Sequence, residues 1–235
     1  MDLHGLSIDE QRELLEALRV PRGRYVATRA AQLAGVPERT LYDWAKSAVL
    51  VPDFSTERPK RWSYRDLVFA RMTAWLRTKR MERSEVVQRV HETRAALEAG
   101  ESFMTIRSAG DGLMVGDEHV DRQTGQAAFE LVLRWIDAFE LVVPTEIKEL
   151  GRRKLWGPHL VHPSRRATIS PWVMGGEPCV VDTRVPTSSL FALHEERDLG
   201  VSSIVTLYPG LDAEDVEEAL ALERKLRRVE EPMAA

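Results

Sequence analysis

Cysteine is almost absent from the chain, and no long apolar run occurs in it. Cys179 is the one cysteine among 235 residues, which excludes an intramolecular disulfide and disfavours a structural zinc site of the cysteine-rich kind. No apolar stretch approaches the roughly 20 residues that span a bilayer. The first residues carry acids where a secretory signal has a basic start. We therefore expect a cytoplasmic protein with neither a metal nor a cofactor.

Catalytic motifs are also missing. Carboxylates are abundant, but no Ser/His/Asp order, Cys/His pair, HExxH or phosphate-cradling glycine loop has suitable flanks. His159 and His162 come closest to metal-ligand spacing, yet the prolines around them favour a linker. The residues at 182–184, DTR, resemble a catalytic cluster, but a strand-to-helix connection explains them more simply. The sequence predicts a protein that is not an enzyme.

Charge is unevenly divided along the chain. The whole sequence has a net charge of −4, whereas residues 22–83 contain fourteen basic and six acidic residues, a net charge of +8. The remainder therefore carries about −12. A basic module suits a polyanion such as DNA, and an acidic remainder suits a basic partner or simple solubility.

Residues 29–44, RAAQLAGVPERTLYDW, have the pattern of two short helices joined by a tight turn. Gly35 tolerates the positive φ of such a turn, and Pro37 fits the first turn of a second helix. Leu41 and Ala45 lie four residues apart and can both face the core. An arginine and a threonine early in this helix can donate to base edges and phosphates in a major groove. The pattern is typical of a helix-turn-helix, although an ordinary surface corner of two helices also fits it.

A basic and aromatic segment, KRWSYRDL at 60–67, follows a polar loop. Its Ser63 and Asp66 have the spacing of a helix capping box. AAQLAGVPERTLYDW followed by RWSYRDL resembles the DNA-binding domain of MerR-type regulators over about residues 24–80. The resemblance implies a winged helix-turn-helix whose recognition helix begins near Pro37 and whose wing contacts phosphates. Neither the long dimerisation helix nor the metal-binding cysteine loop of full-length MerR regulators follows, which disfavours a metal-sensing role.

The resemblance, together with the helix surface, implies a set of DNA-binding residues. They are Arg39, Thr40, Tyr42 and Lys46 on the second helix and Lys60, Arg61 and Tyr64 at the wing. Because one such unit covers only half of a two-fold symmetric operator, a homodimer on double-stranded DNA is expected. Candidate dimer contacts are the apolar residues of an N-terminal helix and of residues 129–143, namely Leu131, Leu133, Trp135, Ile136, Phe139 and Leu141.

The flanking segments are less informative. Ser7 and Glu10 predict a capped amphipathic helix before Pro21, with Leu14, Leu15 and Leu18 on one side, packed on its own domain or on a second copy. The middle of the chain is predicted to be a small α+β spacer, with a helix at 84–99, a hairpin at 103–115, a third strand at 118–121 and helical spacing at 129–139.

Basic residues at 152–154 and three prolines up to Pro171 indicate a linker, after which a second module begins. A short strand at 179–181 precedes a helix that starts near Thr187 or Ser188 and ends at Gly200. Ser202 is predicted to cap a second short helix. Asp212 is predicted to cap a long third helix, with Asp215 at its third position.

This second module resembles the domain-of-unknown-function family 433, found in prokaryotic antitoxins, over about residues 164–226. The matching features are GGEPCVVDTRVP, the first helix, and YPGL followed by DAEDVEEAL. The resemblance implies a role beside a PIN-like ribonuclease toxin, whose acidic metal site an antitoxin can block with basic side chains. Candidate toxin-binding residues are Arg224, Lys225, Arg227 and Arg228, although favourable charge at a helix C-terminus explains them equally well.

Taken together, these patterns predict a mainly α protein with small β elements. The expected domains are an N-terminal helix (1–20), a MerR-like winged helix-turn-helix (21–82), an α+β spacer that carries dimer contacts (83–160) and a three-helix, helix-turn-helix-like antitoxin module (161–235). The predicted function is that of a VapB-type antitoxin that neutralises a PIN-like ribonuclease and represses its own operon. The alternative is a stand-alone MerR-like regulator with a C-terminal sensor or interaction domain.

Overall fold

The computed structural model of the chain describes residues 6–78, 82–98, 106–109, 112–115, 118–120, 142–150 and 153–228. Its α-helices are α1 (Ile8–Arg19), α2 (Ala27–Ala34), α3 (Glu38–Lys46), α4 (Tyr64–Thr78), α5 (Arg83–Glu98), α6 (Thr187–Arg197), α7 (Val201–Leu207) and α8 (Ala213–Arg227). Its strands are β1 (Ile106–Ala109), β2 (Gly112–Val115), β3 (Glu118–Val120), β4 (Thr145–Leu150), β5 (Arg153–Gly157), β6 (Ala167–Thr168) and β7 (Cys179–Val180). The expectation of a mainly helical protein with small β elements is confirmed for this part of the chain.

Helix α1 packs on the protein's own core. Ser7 and Glu10 form the reciprocal capping box that their spacing predicts. Leu14, Leu15 and Leu18 are buried in the main hydrophobic cluster. Because these leucines are buried inside the subunit, they are not available as the predicted dimer contacts.

Helices α2 and α3 are joined by the expected tight turn. Gly35 ends α2 in the left-handed region, with φ +70°, and Pro37 is the N-cap of α3. A Cβ atom on Gly35 would lie 2.7 Å from the amide nitrogen of Gly157 in β5. Only glycine therefore combines this backbone conformation with this approach.

Helices α4 and α5 complete the N-terminal core. The Ser63 hydroxyl accepts a hydrogen bond from the Asp66 amide, and the Asp66 carboxylate accepts one from the Ser63 amide, as the capping box predicts. Val86 and Val90 of α5 are buried in the same cluster as α1 to α4. The first helix of the predicted spacer thus packs with the residues that precede it.

A three-stranded and a two-stranded sheet lie between α5 and the C-terminal module in the chain. β1, β2 and β3 form an antiparallel sheet, in the order that the predicted hairpin and third strand require. The helical spacing at 129–139 and the dimer contacts proposed from 131 to 141 lie outside the described residues.

The expected linker at 152–171 is wrong. Residues 153–157 form β5, which pairs with β4, and Leu160 and Ile169 are buried. The reason is a set of long-range contacts: β5 pairs with β4, and the buried guanidinium of Arg71 in α4 donates a hydrogen bond to the Pro158 carbonyl of this segment. The same guanidinium, whose pKa burial lowers to about 9, also donates to the carbonyls of Val142, Val143 and Leu33.

The C-terminal module contains α6, α7 and α8. α6 begins at Thr187 as expected, but it ends at Asp198 in the left-handed region (φ 53°) and not at Gly200. Gly200 instead is the N-cap of α7, so Ser202 does not cap that helix. Aspartate tolerates the left-handed region better than most residues, which allows it to take the place expected for glycine. Asp212 caps α8 through a reciprocal capping box, as predicted.

Helix α8 belongs to two hydrophobic clusters. Val216, Ala219 and Leu220 pack with α6 and α7 in a small C-terminal cluster, whereas Leu222 and Leu226 pack in the main cluster with α1 to α5. The two cores therefore meet along one helix. Within the described ranges, no helix combines the length and apolar character needed to cross a membrane.

Candidate nucleic-acid interface

Helix α3 has one buried and one exposed side. Leu41 and Trp44 are buried, whereas the Arg39 side chain is 93% exposed. Tyr42 is 40% exposed, and Lys46 is exposed at the end of the helix. The period of 3.6 residues explains this division, because apolar residues three positions apart share the core-facing side. The exposed side presents Arg39, Tyr42 and Lys46 to the solvent, together with Asp43, whose carboxylate lies 3.9 Å from the Arg39 guanidinium.

A groove of about 360 Å³ runs beside α3. Thr40, Asp43, Ser47, Arg77 and Arg83 are among its lining residues. Thr40 is half-buried, and both arginines are exposed. The Arg83 guanidinium donates to the Ser47 carbonyl at 3.2 Å, which fixes α5 against the end of α3. The groove adds positive charge next to the exposed face of the helix.

The loop between α3 and α4 folds back on itself, and we call its residues 53–61 the wing loop. Phe54 and Arg61 are paired by an antiparallel bridge at its base. The Arg24 guanidinium lies 4.7 Å from the centroid of the Phe54 ring and forms an ion pair with Glu57. Lys60 and Arg61 are half-buried. The two basic residues expected at the wing thus lie along one arm of this loop.

Tyr64 is a correction to the predicted DNA-binding set. Its side chain is buried, at 1% exposure, and its hydroxyl donates to the Leu160 carbonyl at 2.9 Å. As the first residue of α4 it faces the core and not the wing surface. A buried phenol cannot reach a phosphate, so Tyr64 is a packing residue.

Three of the basic residues counted in the charged segment are also in the core. Arg29, Arg65 and Arg71 are each at most 6% exposed. Arg65 forms a bidentate pair with Asp53 at 2.7 and 2.8 Å. The charge that the N-terminal region presents to a polyanion is therefore smaller than the sequence count indicates.

Two buried carboxylates fix the base of the wing loop. The Arg94 guanidinium of α5 donates to Asp53 at 2.6 Å and to Asp66 at 2.8 Å. Burial opposes ionisation of Asp53, but hydrogen bonds from Arg65 and Ser63 outweigh it and lower its pKa. Burial and the Asp53 charge raise the pKa of Asp66 to about 6. The start of the wing loop and the start of α4 are thereby tied to α5.

The helix pair α2–α3 is joined to the C-terminal module by a buried ion pair. Arg29 of α2 donates to both carboxylate oxygens of Glu223 in α8, at 2.7 and 3.0 Å, and to Glu177 at 2.8 Å. Glu223 has 0% exposure and also accepts a hydrogen bond from Thr187 at the start of α6. Sequence reasoning missed this joint because 194 positions separate Arg29 from Glu223, and no local pattern links them.

Three of the four basic residues at the end of α8 have partners within the chain. Lys225 lies 3.7 Å from the centroid of the Trp156 ring, and Arg227 lies 4.3 Å from that of Phe191. Arg224 pairs with Glu195 at 3.3 Å. Arg228, the fourth predicted toxin-binding residue, is exposed.

An open groove of about 480 Å³ adjoins this basic end. Trp156, Pro163 and Leu222 supply apolar lining, and Glu217, Glu218 and Lys225 supply charge. The surface next to the basic residues is thus partly acidic.

The two histidines with metal-like spacing take other roles. The Nδ1 atom of His159 accepts hydrogen bonds from the amides of Val161 and His162, and His162 Nε2 lies 2.7 Å from a Glu10 carboxylate oxygen. No group of three or more His, Cys, Asp or Glu side chains able to hold a metal occurs in the described residues.

Residues 168–222 match the model of a family described as "Protein of unknown function (DUF433)". The match extends from the end of β6 into α8 and supports the resemblance found for the C-terminal module. No curated protein and no solved structure matches the chain significantly.

Proposed function

We propose that the protein is a DNA-binding regulator of the antitoxin type. In this proposal α3 and the wing loop bind double-stranded operator DNA, and the C-terminal module binds and neutralises a PIN-like ribonuclease. The observation that carries the DNA-binding part is the exposed face of α3. Its Arg39, Tyr42 and Lys46 project from a helix whose other side is fixed by Leu41 and Trp44.

The division of labour follows from general features of DNA recognition. A helix that enters a major groove reads base edges with residues near its N-terminus, whereas contacts from a flanking loop go mainly to phosphates. Arg39 is the second residue of α3, and Arg61 lies on the wing loop. We therefore propose Arg39 for base readout and Arg61, with Lys60, for phosphate contact.

The test is the affinity of the full chain for duplex DNA from upstream of its own gene, measured by fluorescence anisotropy at several salt concentrations. Arg39→Ala is expected to weaken binding by about 1–3 kcal/mol, mainly through one operator position. Arg61→Ala is expected to weaken binding to all sequences and to reduce the salt slope by about 1. Arg12→Ala removes an exposed arginine of α1 and is the matched control. Unchanged DNA affinity in both test variants would contradict the proposal that α3 and the wing loop bind DNA.

Two-fold operators require a two-fold protein, so we propose a homodimer. The leucines of α1 and Val142 are buried in the subunit, which leaves the apolar residues from 131 to 141 as the proposed contact. Light scattering at micromolar concentration measures the mass directly, and a monomer mass would contradict the proposal.

Toxin neutralisation is proposed for the end of α8. Cation–π contacts and surface ion pairs of the kind that hold Arg224, Lys225 and Arg227 are worth only about 1 kcal/mol each. An acidic metal site on a ribonuclease could therefore compete for these side chains, and Arg228 is exposed already.

Point substitutions test this better than truncation, because removing residues after 221 would delete buried Leu222, Glu223 and Leu226. The quadruple alanine variant of Arg224, Lys225, Arg227 and Arg228 is expected to lose the rescue of cells that express the neighbouring toxin gene. Arg197→Ala, at an exposed position in α6, is the control. Full rescue by a folded quadruple variant would place the toxin contact elsewhere.

The second candidate function is a regulator whose C-terminal module senses a ligand or a protein. The buried pair between Arg29 and Glu223 favours it, since this contact connects that module directly to α2. A neighbouring gene whose toxicity is relieved by co-expression of this protein supports the antitoxin. A harmless neighbour supports the sensor.

A further inference from the structure

Arg29 gathers three separate segments of the C-terminal module around one side chain of α2. Its Nε donates to Glu177 in the loop before β7, and its two terminal nitrogens donate to Glu223 in α8. Thr187, the first residue of α6, donates to the same Glu223 carboxylate at 2.5 Å. One arginine thus contacts the loop, α6 and α8 directly or through a single shared carboxylate.

This contact is directional. A guanidinium and a carboxylate joined by two parallel hydrogen bonds must lie in nearly one plane, so the pair fixes both distance and orientation. Both side chains are buried, at 7% and 0% exposure. Loss of Arg29 leaves Glu223 as an unpaired charge in the core, and loss of Glu223 leaves Arg29 with Glu177, which is partly exposed, as its carboxylate partner. Apolar packing between α2 and α8 alone would not impose such a restraint.

Two further hydrogen bonds connect the residues before α2 to the loop that contains Glu177. The Tyr25 hydroxyl donates to the Gly176 carbonyl at 2.9 Å, and the Arg24 amide donates to the Gly175 carbonyl at 2.9 Å. A Cβ atom on Gly176 would lie 2.0 Å from the Tyr25 hydroxyl oxygen. The C-terminal module is therefore fitted closely to the residues that enter α2.

We propose that Arg29 and Glu223 are positioning residues for DNA binding, which makes the C-terminal module part of the DNA-binding unit. α8 holds α2, and α2 holds α3 through the turn at Gly35. The inference rests on the proposed function of α3 and adds to it a way for the C-terminal module to act on DNA. A partner that displaces α8 lowers the affinity of α3 for DNA.

The experiment compares two isosteric variants of the full chain on α8. Glu223→Gln keeps the shape of the side chain and removes its charge. Glu218→Gln makes the same change at a half-exposed position five residues earlier. We expect Glu223→Gln to weaken binding to the upstream duplex about tenfold, within the usual range of coupling between sites, and Glu218→Gln to leave it unchanged.

The salt dependence of DNA affinity distinguishes a positioning role of Glu223 from the loss of a direct contact with DNA. Because Glu223 is buried, at 0% exposure, it is inaccessible to a phosphate. The salt slope of Glu223→Gln is therefore expected to equal that of the wild type while the affinity falls. Wild-type affinity in a folded Glu223→Gln variant would overturn the proposal.

Arg29→Lys tests the same proposal if Glu223→Gln does not fold. Lysine retains the charge but cannot make the bidentate contact, and the position is too buried for a direct DNA contact. We expect a folded protein with weakened DNA binding. A folded Arg29→Lys variant that binds DNA as the wild type does would equally overturn the inference.

Hydrogen exchange without DNA distinguishes failure of the joint from failure of the proposed function. The amides of α2 and α3 are expected to lose protection in Glu223→Gln and to keep it in Glu218→Gln. If the wild type binds no duplex, the proposed function fails, and this exchange result still decides whether α8 holds α2 and α3. Equal protection in the two variants would mean that it does not.

Discussion

The backbones of Gly35 and Gly157 are in direct contact. A Cβ atom added to Gly35 would lie only 2.7 Å from the Gly157 amide nitrogen. The turn between α2 and α3 is thereby seated on the end of β5. On the other side of the same contact, a Cβ on Gly157 would lie 2.7 Å from a guanidinium nitrogen of Arg71. The orientation of the proposed DNA-reading helix thus depends on two glycines that are 122 positions apart in the chain.

Gly35→Ala is expected to destabilise the protein by about 2–5 kcal/mol. The left-handed backbone at φ +70° disfavours a side chain, and the methyl group would overlap backbone atoms of β5, which cannot rotate away. Urea unfolding measures the change. Gly210→Ala is the control, because a Cβ there meets nothing within 4 Å. Equal stability of the two variants would show that the backbone contact is unimportant.

Tyr64→Phe and Tyr42→Phe make the same chemical change in two environments. Tyr64 is buried with its hydroxyl on the Leu160 carbonyl, so its loss is expected to reduce the free energy of unfolding by about 1 kcal/mol with no change in DNA affinity. Tyr42 is exposed on α3, so its change is expected to leave stability intact. Thermal unfolding and DNA anisotropy on both variants check the pair. If only Tyr64→Phe lost DNA affinity, the Tyr64 hydroxyl would contact DNA as the sequence predicts.

The elements that sequence patterns predicted correctly depend on short spacings. The capping boxes of Ser7, Ser63 and Asp212 each join residues three positions apart, and the Gly35 turn is specified by residues next to it. Such signals are complete within one turn of helix, so they can be recognised without the rest of the fold.

Two of the wrong predictions, for Tyr64 and for residues 153–157, depend on long-range contacts. Tyr64 is buried against residues that are distant in the chain: its hydroxyl donates a hydrogen bond to the carbonyl of Leu160, 96 positions away. Residues 153–157 form a strand and not a linker because they pair with β4 and lie against Arg71. A basic residue in a sequence has the same appearance whether it faces solvent, as Arg39 does, or a buried carboxylate, as Arg29 does. Charge counts therefore identify a basic region of the chain but not which of its side chains are exposed.

Asp66 predicts an unusual pH dependence of stability. Burial and the Asp53 charge raise its pKa to about 6 in the folded protein, against about 3.9 in an unfolded chain. Because the folded state holds this proton more tightly, the contribution of Asp66 to the free energy of unfolding is fully present below about pH 4 and is lost as the pH rises through 6.

Asp66→Asn removes this titration. The difference in unfolding free energy between the wild type and Asp66→Asn is expected to decrease by up to about 3 kcal/mol between pH 4 and pH 7, since one pKa unit corresponds to about 1.4 kcal/mol. Denaturant unfolding at half-unit pH steps measures it. Asp9→Asn, at a side chain that is 89% exposed in α1, is the matched control. A difference that stays flat or grows with pH would mean that Arg94 and the backbone amides, which favour the charged form, outweigh burial at Asp66.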